Sequence, residues 1–515
     1  MLACYTDRLS VRPGERFALH ASAEAGPCTL EIARIGARRD VVLRRDGLAV
    51  GAHPTPEHAD RDGCGWPAAA AIEVGPQWLS GYYDIQLTDA AGEAAHHFVV
   101  VKSSGPRARA VLVLSTNTYH AYNHWGGANA YCDVAALMSR RADLPTAMAG
   151  AIGVLSTRRP FPQMLIAPPP DVPRLINLRP RDFEERPWAG DRNWPRRREL
   201  SPYDSSAGFL HKWEHAFVRW AETEGLAVDY LTDEDLDRAA DPLAGYQVVV
   251  LVGHSEYWTA GQRDQIERFV DAGGRLAIFS GNTAFWKVRF EAVGDDRTAQ
   301  FVCHKWRGFE ADAAAAVDPA SATHLWSHRA FGRPEASITG LSFLFGGYHR
   351  LGLCVARGAG GYTVYDAHHW ALEGADLFWG DVIGAGLPLL GYENDGCRFE
   401  FAEDGRLKPI ATLGVPQNLE IIAAAPAAFG EEAGRGYAPI IPPENLDIIA
   451  RDVFADESET AQRRLLRGHA VMASFRRGKG EVFNGGTTEW AHGLAAHDPF
   501  IERITRNVLT RFGAY

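Results

Sequence analysis

One segment of the chain, residues 248–258 with the sequence VVVLVGHSEYW, joins a buried-strand pattern to a polar ending. Its run of aliphatic residues without polar alternation predicts a parallel strand that is covered on both faces. Directly after the strand come His254, Ser255, Glu256 and Tyr257. Ligands of open α/β sheets bind at the carboxyl ends of strands, so this turn is a first candidate for a functional site. A histidine that only caps the strand end fits the segment equally well.

The composition is typical of a water-soluble globular protein. The chain has 515 residues, of which 46% are hydrophobic and 23% charged, and this length allows two or three domains. A formal net charge of -11 argues against a nucleic-acid partner, and no apolar run is long enough for a membrane span. The N-terminus lacks a signal-peptide pattern, and the seven cysteines are dispersed without CxxC spacing. We therefore expect a cytoplasmic protein with reduced thiols.

The chain divides into two parts by pattern. In residues 1–105, short alternating runs separated by turn residues predict an Ig-like β-sandwich domain. In residues 106–515, strands alternate with helices, which predicts an α/β catalytic domain on a doubly wound, mostly parallel sheet of the glutamine-amidotransferase-like kind. We interpret the Pro- and Arg-rich loop 157–206 as a lid or subunit-contact arm, and residues at about 296–440 as a β-rich insertion.

The carboxyl ends of the predicted parallel strands would lie along one edge of the sheet. The side chains brought there, in chain order, are Tyr119, Tyr122, Trp125, His254, Glu256, Tyr257, Asn282 and Phe285. They form an aromatic-rich crevice with few charges. GHSEY does not match the GxSxG nucleophile elbow, and no GxGxxG follows a strand, so neither a serine hydrolase nor a dinucleotide site is supported.

Tyrosine and glutamate oxygens are hard ligands, and phenolate in particular suits ferric iron. Such a metal would polarise a carbonyl without any protein nucleophile. A neighbouring histidine could shuttle a proton, and an asparagine could orient the carbonyl or a water molecule. Simple aromatic packing at the strand ends is the alternative interpretation.

Several motifs in the chain together indicate a family. They are TYHAYNHWGGANAY, GHSEYW, SGNTAFWKVRFE, GRPEASITGLSF, GYENDG and FNGGTTEWAHGL, in this order. The chain resembles the large subunit of N,N-dimethylformamidase and its relatives over about residues 1–515, most strongly from 111 to 286. The resemblance implies a mononuclear iron amidohydrolase, with Fe3+ held by two tyrosines and a glutamate. It also implies a homo-oligomer and a small partner subunit.

Carried over by motif, the resemblance assigns roles to individual residues. Tyr119 and Glu256 would be metal ligands, His254 and Asn282 the active-site histidine and asparagine, and Glu393 an acidic residue that assists proton transfer.

The second tyrosine departs from the pattern of the family. Phe161 stands where that tyrosine is expected, so Tyr122 or Tyr203 would have to supply the second phenolate.

The expected function is hydrolysis of the C–N bond of a small, non-peptide amide. Trp125, Tyr257 and Phe285 would form aromatic walls that suit N-alkyl groups. Two alternatives stay open. One is a metal-free binding or assembly subunit with a degenerate site, and the other is a metal-independent hydrolase that uses His254 and Glu256.

Overall fold

The computed structural model describes most of the chain and contains more strand than helix. The residues described are 1–131, 153–162, 208–210, 213–348, 360–385, 387, 389–391, 393–429 and 445–515. Tyr203 and most of loop 157–206 lie outside this part. None of the described helices is long and apolar enough to cross a lipid bilayer.

The first hundred residues form two small sheets. Their strands are β1 (Ala3–Thr6), β2 (Ser10–Val11), β3 (Arg16–Ser22), β4 (Cys28–Ile35), β5 (Arg39–Leu48), β6 (Ala68–Glu73), β7 (Gly81–Thr88) and β8 (Ala94–Val101). The sheet orders are β1-β3-β6 and β2-β8-β7-β4-β5, and both sheets contribute to one core. On β8, Val99 and Val101 face that core, whereas Phe98 and Val100 join the core of the following chain. A separate sandwich domain ending at residue 105 stays a prediction.

The remaining strands, in chain order, are β9 (Ala110–Leu114), β10 (Val154–Ser156), β11 (Val228–Thr232), β12 (Val248–Gly253), β13 (Tyr257–Thr259), β14 (Arg275–Ser280), β15 (Trp286–Val293), β16 (Asp296–Val302), β17 (Ser342–Tyr348), β18 (Tyr362–Val364), β19 (Val382–Ile383), β20 (Glu393–Gly396), β21 (Phe399–Phe401), β22 (Leu407–Pro409), β23 (Glu420–Ala427), β24 (Gly468–Arg477) and β25 (Gly480–Asn484).

The helices of the described residues are α1 (Ala59–Asp62), α2 (Thr116–Tyr122), α3 (Glu214–Thr223), α4 (Asp233–Arg238), α5 (Ala260–Ala272), α6 (Ala313–Val317), α7 (Ala336–Thr339), α8 (Leu446–Asp452), α9 (Glu459–Leu465), α10 (Trp490–Ala495) and α11 (Pro499–Arg511). Short 3-10 turns occur at Lys305–Arg307, Pro319–Ser321 and Trp370–Leu372.

The central sheet is mixed, so the predicted doubly wound, mostly parallel sheet is wrong. Its strand order in the described residues is β11-β9-β12-β14-β25-β24-β23-β18-β19. Neighbours from β11 to β25 are parallel, and neighbours from β25 to β19 are antiparallel. Only Gly478 and Lys479 connect β24 to β25, and so short a connection forces antiparallel pairing.

Three strands of the predicted insertion, β18, β19 and β23, belong to this central sheet. Of the smaller sheets, one has the order β10-β16-β15-β13, and two are the pairs β17-β20 and β21-β22. The pairing of β13 with β15 places Tyr257 opposite Trp286.

The central strand β12 is covered on both faces, as its apolar run predicts. Val249 and Leu251 pack on one side of the sheet, and Val248, Val250 and Val252 pack on the other. This double burial brings the strand end, and the polar turn after it, into the interior of the molecule.

We expect Gly281→Ala to destabilise the fold. A Cβ at Gly281 would lie 2.3 Å from the Glu393 carbonyl oxygen and 2.6 Å from the Thr488 amide nitrogen, so backbone would have to move. Overpacking of this kind costs about 1–3 kcal/mol. Urea unfolding should show the loss, whereas Gly105→Ala, where a Cβ meets nothing within 4 Å, should leave the midpoint nearly unchanged. Equal midpoints for the two variants would contradict the close approach at Gly281.

We also expect His97 on β8 to make the fold sensitive to acid. Burial lowers the pKa of His97 from 6.5 to about 3. The unfolded chain therefore binds a proton that the folded protein excludes, so the stability contributed by neutral His97 is present above pH 6.5 and is lost as pH falls to about 3. Wild-type protein should lose about 1.4 kcal/mol per pH unit more than His97→Asn in urea unfolding. Parallel curves for the two proteins would show that His97 does not titrate as described.

Candidate active site

A buried group of acid, base and phenol side chains forms where β12 and β14 end and β20 begins. His254 and Glu256 follow the last residue of β12, and Glu393 is the first residue of β20. Each is less than 5% exposed: 2% for His254, 2% for Glu256 and 4% for Glu393. Charges so deeply buried are costly unless they are paired, which makes their mutual geometry decisive.

His254 lies between the two carboxylates. Its Nε2 atom is 3.0 Å from Glu256 Oε2 and 3.0 Å from Glu393 Oε2, and its Nδ1 atom is 3.3 Å from the Gly281 carbonyl oxygen. Burial alone would lower the pKa of His254, but the charges of Glu393 and Glu256 outweigh it and raise that pKa to about 10. The ring is therefore an imidazolium at neutral pH, with Nδ1–H donating to the carbonyl.

Three phenol groups surround this histidine and Glu256. Tyr122 Oη is 3.2 Å from His254 Nε2, and Tyr131 Oη is 3.1 Å from Tyr122 Oη. Tyr131 Oη also lies 3.1 and 3.0 Å from the two carboxylate oxygens of Glu256, and Tyr257 donates to Tyr131 Oη at 2.6 Å. Burial first, and nearby negative charge second, raise the pKa of Tyr122 and of Tyr257 well above 10. The hydroxyl groups of Tyr122 and Tyr257 therefore stay protonated unless a bound cation displaces the proton.

The oxygen atoms of this group suit a hard cation. Tyr131 Oη lies within hydrogen-bond distance of both Tyr122 Oη and the carboxylate of Glu256, and phenol and carboxylate oxygens favour ferric iron over softer metals. In the described residues, no group of three or more His, Cys, Asp or Glu side chains could hold a metal ion. A metal at this site would therefore depend on the phenols.

Lys305 adds a positive charge beside the phenols. Its Nζ atom is 3.1 Å from the ring centroid of Tyr131, 5.3 Å from that of Tyr257 and 5.2 Å from that of Trp286. The side chain is buried, so its charge acts on these rings with little screening by water.

Two further predicted residues join the site. Asn282 directly follows Gly281, has φ 52°, and donates a hydrogen bond to Glu393, whose pKa burial raises above its usual value. Asparagine is one of the few residues that tolerate this left-handed conformation. Tyr257 joins through its hydroxyl group. Ser255 has a structural contact instead, because its hydroxyl accepts a hydrogen bond from Trp258 Nε1 at 2.9 Å.

Other predicted residues have their described contacts elsewhere. Tyr119 donates to Glu214 Oε1 at 2.6 Å, and Trp125 packs edge-on against Trp66, which precedes β6. Phe285 packs edge-on against Trp286 and against Phe343.

Phe161 packs with tilted rings against His97, Phe98 and His120. Its described ring contacts are therefore with residues of β8 and α2, and not with Glu256.

The sequence reasoning missed Tyr131, Lys305 and Trp213. Trp213 packs edge-on to His254 with ring centroids 6.0 Å apart, and its Nε1 donates to Glu489 Oε1 at 3.2 Å. Tyr131 ends the motif TYHAYNHWGGANAY, so a search of that motif for a third phenol could have found it. Lys305 and Trp213 follow no strand end of the predicted sheet and belong to none of the motifs, so no sequence pattern indicated them.

Among the comparisons with known proteins, only the match to a family model supports a conclusion about this chain. No curated protein matches the chain. Among solved structures, the chain is similar to a superoxide reductase (neelaredoxin) from Ignicoccus hospitalis, with 8% identity, 20% of this chain and 80% of that chain covered, and a TM-score of 0.13. A score this low gives no support for a common fold.

A family model described as "N,N-dimethylformamidase beta subunit-like, C-terminal" matches residues 29–503. The match includes every residue of the buried group around His254 and confirms the resemblance found in the motifs. The chain belongs to the N,N-dimethylformamidase beta subunit-like family.

Proposed function

We propose that this chain is the catalytic subunit of an amidohydrolase that cleaves the C–N bond of a small N-alkyl amide. Membership of the family supports amide hydrolysis as the class of reaction. The observation that carries the proposal is His254 held at 3.0 Å from both Glu256 and Glu393 in a buried site. A buried acid–base group of this kind is costly to maintain and is typical of catalysis.

Amide hydrolysis needs one group that takes a proton from water and another that gives a proton to the leaving amine. In our scheme Glu393 accepts a proton from the water molecule that adds to the carbonyl carbon. The imidazolium of His254 gives its proton to the amide nitrogen as the C–N bond breaks, and the products are a carboxylic acid and an amine. The contact between His254 and Glu393 then returns the proton from the carboxyl group to the ring.

Asn282 is the orienting residue of the scheme. Its Oδ1 atom is buried and accepts no hydrogen bond from the described residues, while its amide group bonds to Glu393. A buried acceptor without a partner is unfavourable, so a water molecule that donates to Oδ1 is the expected partner. Asn282 would in this way fix the attacking water beside its base.

We propose Fe3+ as the cofactor, held by Glu256, Tyr122 and Tyr131. When bound, it supplies polarisation of the amide carbonyl and of a bound water. The set differs from the one implied by motif, because Tyr119 bonds to Glu214 whereas Tyr131 lies against Glu256.

The walls of the site suit a neutral substrate with small alkyl groups. Trp213 and Tyr257 present aromatic surface next to the acid–base group, and Lys305 would repel a cationic substrate. The family description names a beta subunit, and we propose assembly with further copies of the chain or with a small partner subunit.

A metal-independent hydrolase is the second candidate, because His254 already lies 3.0 Å from both Glu256 and Glu393 without a cation. The degenerate-subunit alternative is less favoured, since it rested on Phe161, which packs against His120. Amide turnover that survives complete chelation of iron would favour the second candidate.

The purified chain should release dimethylamine from N,N-dimethylformamide, as measured by proton NMR. Glu393→Gln should lower kcat by about 10²–10⁴, because it removes the base. Glu335→Gln is a matched control, since Glu335 is equally buried and accepts hydrogen bonds from Ser327 and Ser342. Full activity of Glu393→Gln would exclude the scheme, and absence of turnover of any small amide by the wild-type protein would exclude the function.

Replacing single tyrosines should separate metal-binding phenols from structural ones. Tyr131→Phe should weaken iron binding at least about tenfold and diminish the visible phenolate-to-iron absorption band. Tyr119→Phe should keep the iron affinity and the absorption band of the wild-type protein, because the Tyr119 hydroxyl bonds to Glu214. Iron titrations followed by visible absorption give both quantities. The reverse pattern would restore Tyr119 as the ligand and overturn our assignment of Tyr131.

A further inference from the structure

The turn at residues 123–131, which joins Tyr122 to Tyr131, is tied to the strand β10 region by one arginine. Arg159 Nε donates to the Ser156 carbonyl oxygen at 3.0 Å. The same guanidinium reaches three carbonyl oxygens of the turn, those of Asn123 at 3.0 Å, Ala128 at 3.1 Å and Trp125. One side chain thus spans both segments.

Arg159 is an unusual residue to find at such depth. Its side chain is 1% exposed, and its described hydrogen bonds all go to backbone carbonyls. Burial lowers its pKa to about 10, so the group stays charged at neutral pH. The planar fork of donors in a guanidinium matches several acceptors at once, which a lysine ammonium cannot do. Removing it would leave those buried carbonyls without partners.

The turn is also confined from the side of the N-terminal sheets. Gly126 has φ 86°, and a Cβ there would lie 2.8 Å from the Asp60 amide nitrogen and 3.0 Å from Ala59 Cβ. The Asn123 side chain donates to the Pro160 carbonyl oxygen at 3.0 Å. The turn is therefore enclosed between α1 and residues 156–160.

Hydrogen bonds inside the turn connect this anchorage to the phenols. The Ala130 amide donates to the Ala121 carbonyl oxygen at 2.9 Å, and the Tyr131 amide donates to Asn129 Oδ1 at 2.9 Å. A displacement of the turn would therefore move Tyr131 relative to Glu256. Such a displacement would break the contacts of 3.0 and 3.1 Å between Tyr131 Oη and the carboxylate oxygens of Glu256.

We infer that Arg159 is a positioning residue of the active site, which fixes the turn 123–131 and thereby holds Tyr122 and Tyr131 against Glu256. Its effect on catalysis rests on the proposed function, whereas its effect on the turn does not. Arg159 touches none of the reacting groups in the described contacts and acts only through the backbone that it binds.

The test compares Arg159→Met with Arg263→Met. Arg263 on α5 is a matched control, because its side chain is also buried and its guanidinium donates to the carbonyls of Arg333 and Pro334. Both variants lose a buried guanidinium, but only one loses the bonds to the turn. Arg159→Lys is a third variant that keeps the charge, provides a soluble protein if the methionine variant does not fold, and should give an intermediate effect.

The first measurement is amide hydrogen exchange by mass spectrometry in peptides that cover residues 121–131. We expect exchange in this segment to be at least about tenfold faster in Arg159→Met than in wild-type protein, because the amides of Ala130 and Tyr131 lose their fixed geometry. Arg263→Met should exchange there as wild-type protein does. Unchanged exchange in Arg159→Met, or an equal effect in both variants, would overturn the inference whatever the activity.

The second measurement is steady-state release of dimethylamine. We expect kcat of Arg159→Met to fall about 100-fold with KM little changed, because misplaced catalytic groups slow the chemical step. A faster-exchanging turn with normal kcat would overturn the positioning role. If wild-type protein hydrolyses no amide, the proposed function fails, and the exchange measurement alone decides whether Arg159 fixes the turn.

Discussion

The site depends on one constraint, the burial of His254 together with two carboxylates. An imidazolium at this depth is tolerated only because Glu256, in the turn after β12, and Glu393, at the start of β20, both approach it. β12 and β20 must therefore end or begin within hydrogen-bond distance of one ring. The close packing of β20 against Gly281 illustrates this constraint, since a Cβ atom at Gly281 would clash with the backbone of Glu393.

Three phenols and the ring of Trp213 lie around this charged group. Tyr131 connects Glu256, Tyr122 and Tyr257 through its hydroxyl group, so its position determines how many oxygen atoms a cation could reach. Trp213 covers His254 and limits water around the ring. The N-terminal sheets contribute support instead of chemistry, since α1 presses on the turn that carries the phenols.

The sequence indicated β12 and the polar turn after it, because a strand buried on both faces has an unbroken apolar run. It failed for the antiparallel half, where the apolar strands β23 and β24 have the same pattern as parallel ones and only the two-residue connection to β25 distinguishes them. A two-residue connection forces antiparallel pairing, whereas the alternation of strands and helices elsewhere in the chain indicated parallel strands.

Within the site, His254, Glu256 and Asn282 could be predicted because they lie one to three residues after the ends of β12 and β14. Tyr119 and Tyr122 could not be separated, because residues three apart lie on neighbouring parts of one helix face and their directions depend on partners far along the chain. The Tyr119 hydroxyl donates its hydrogen bond to Glu214 and not to Glu256.

The most direct test of the account is the iron content of the purified chain after reconstitution, measured by mass spectrometry together with the visible absorption spectrum. The account predicts about one iron per chain and a phenolate-to-iron charge-transfer band. Protein that binds no iron and shows no band would contradict the phenol cluster as a metal centre. The acid–base group around His254 would then have to act alone.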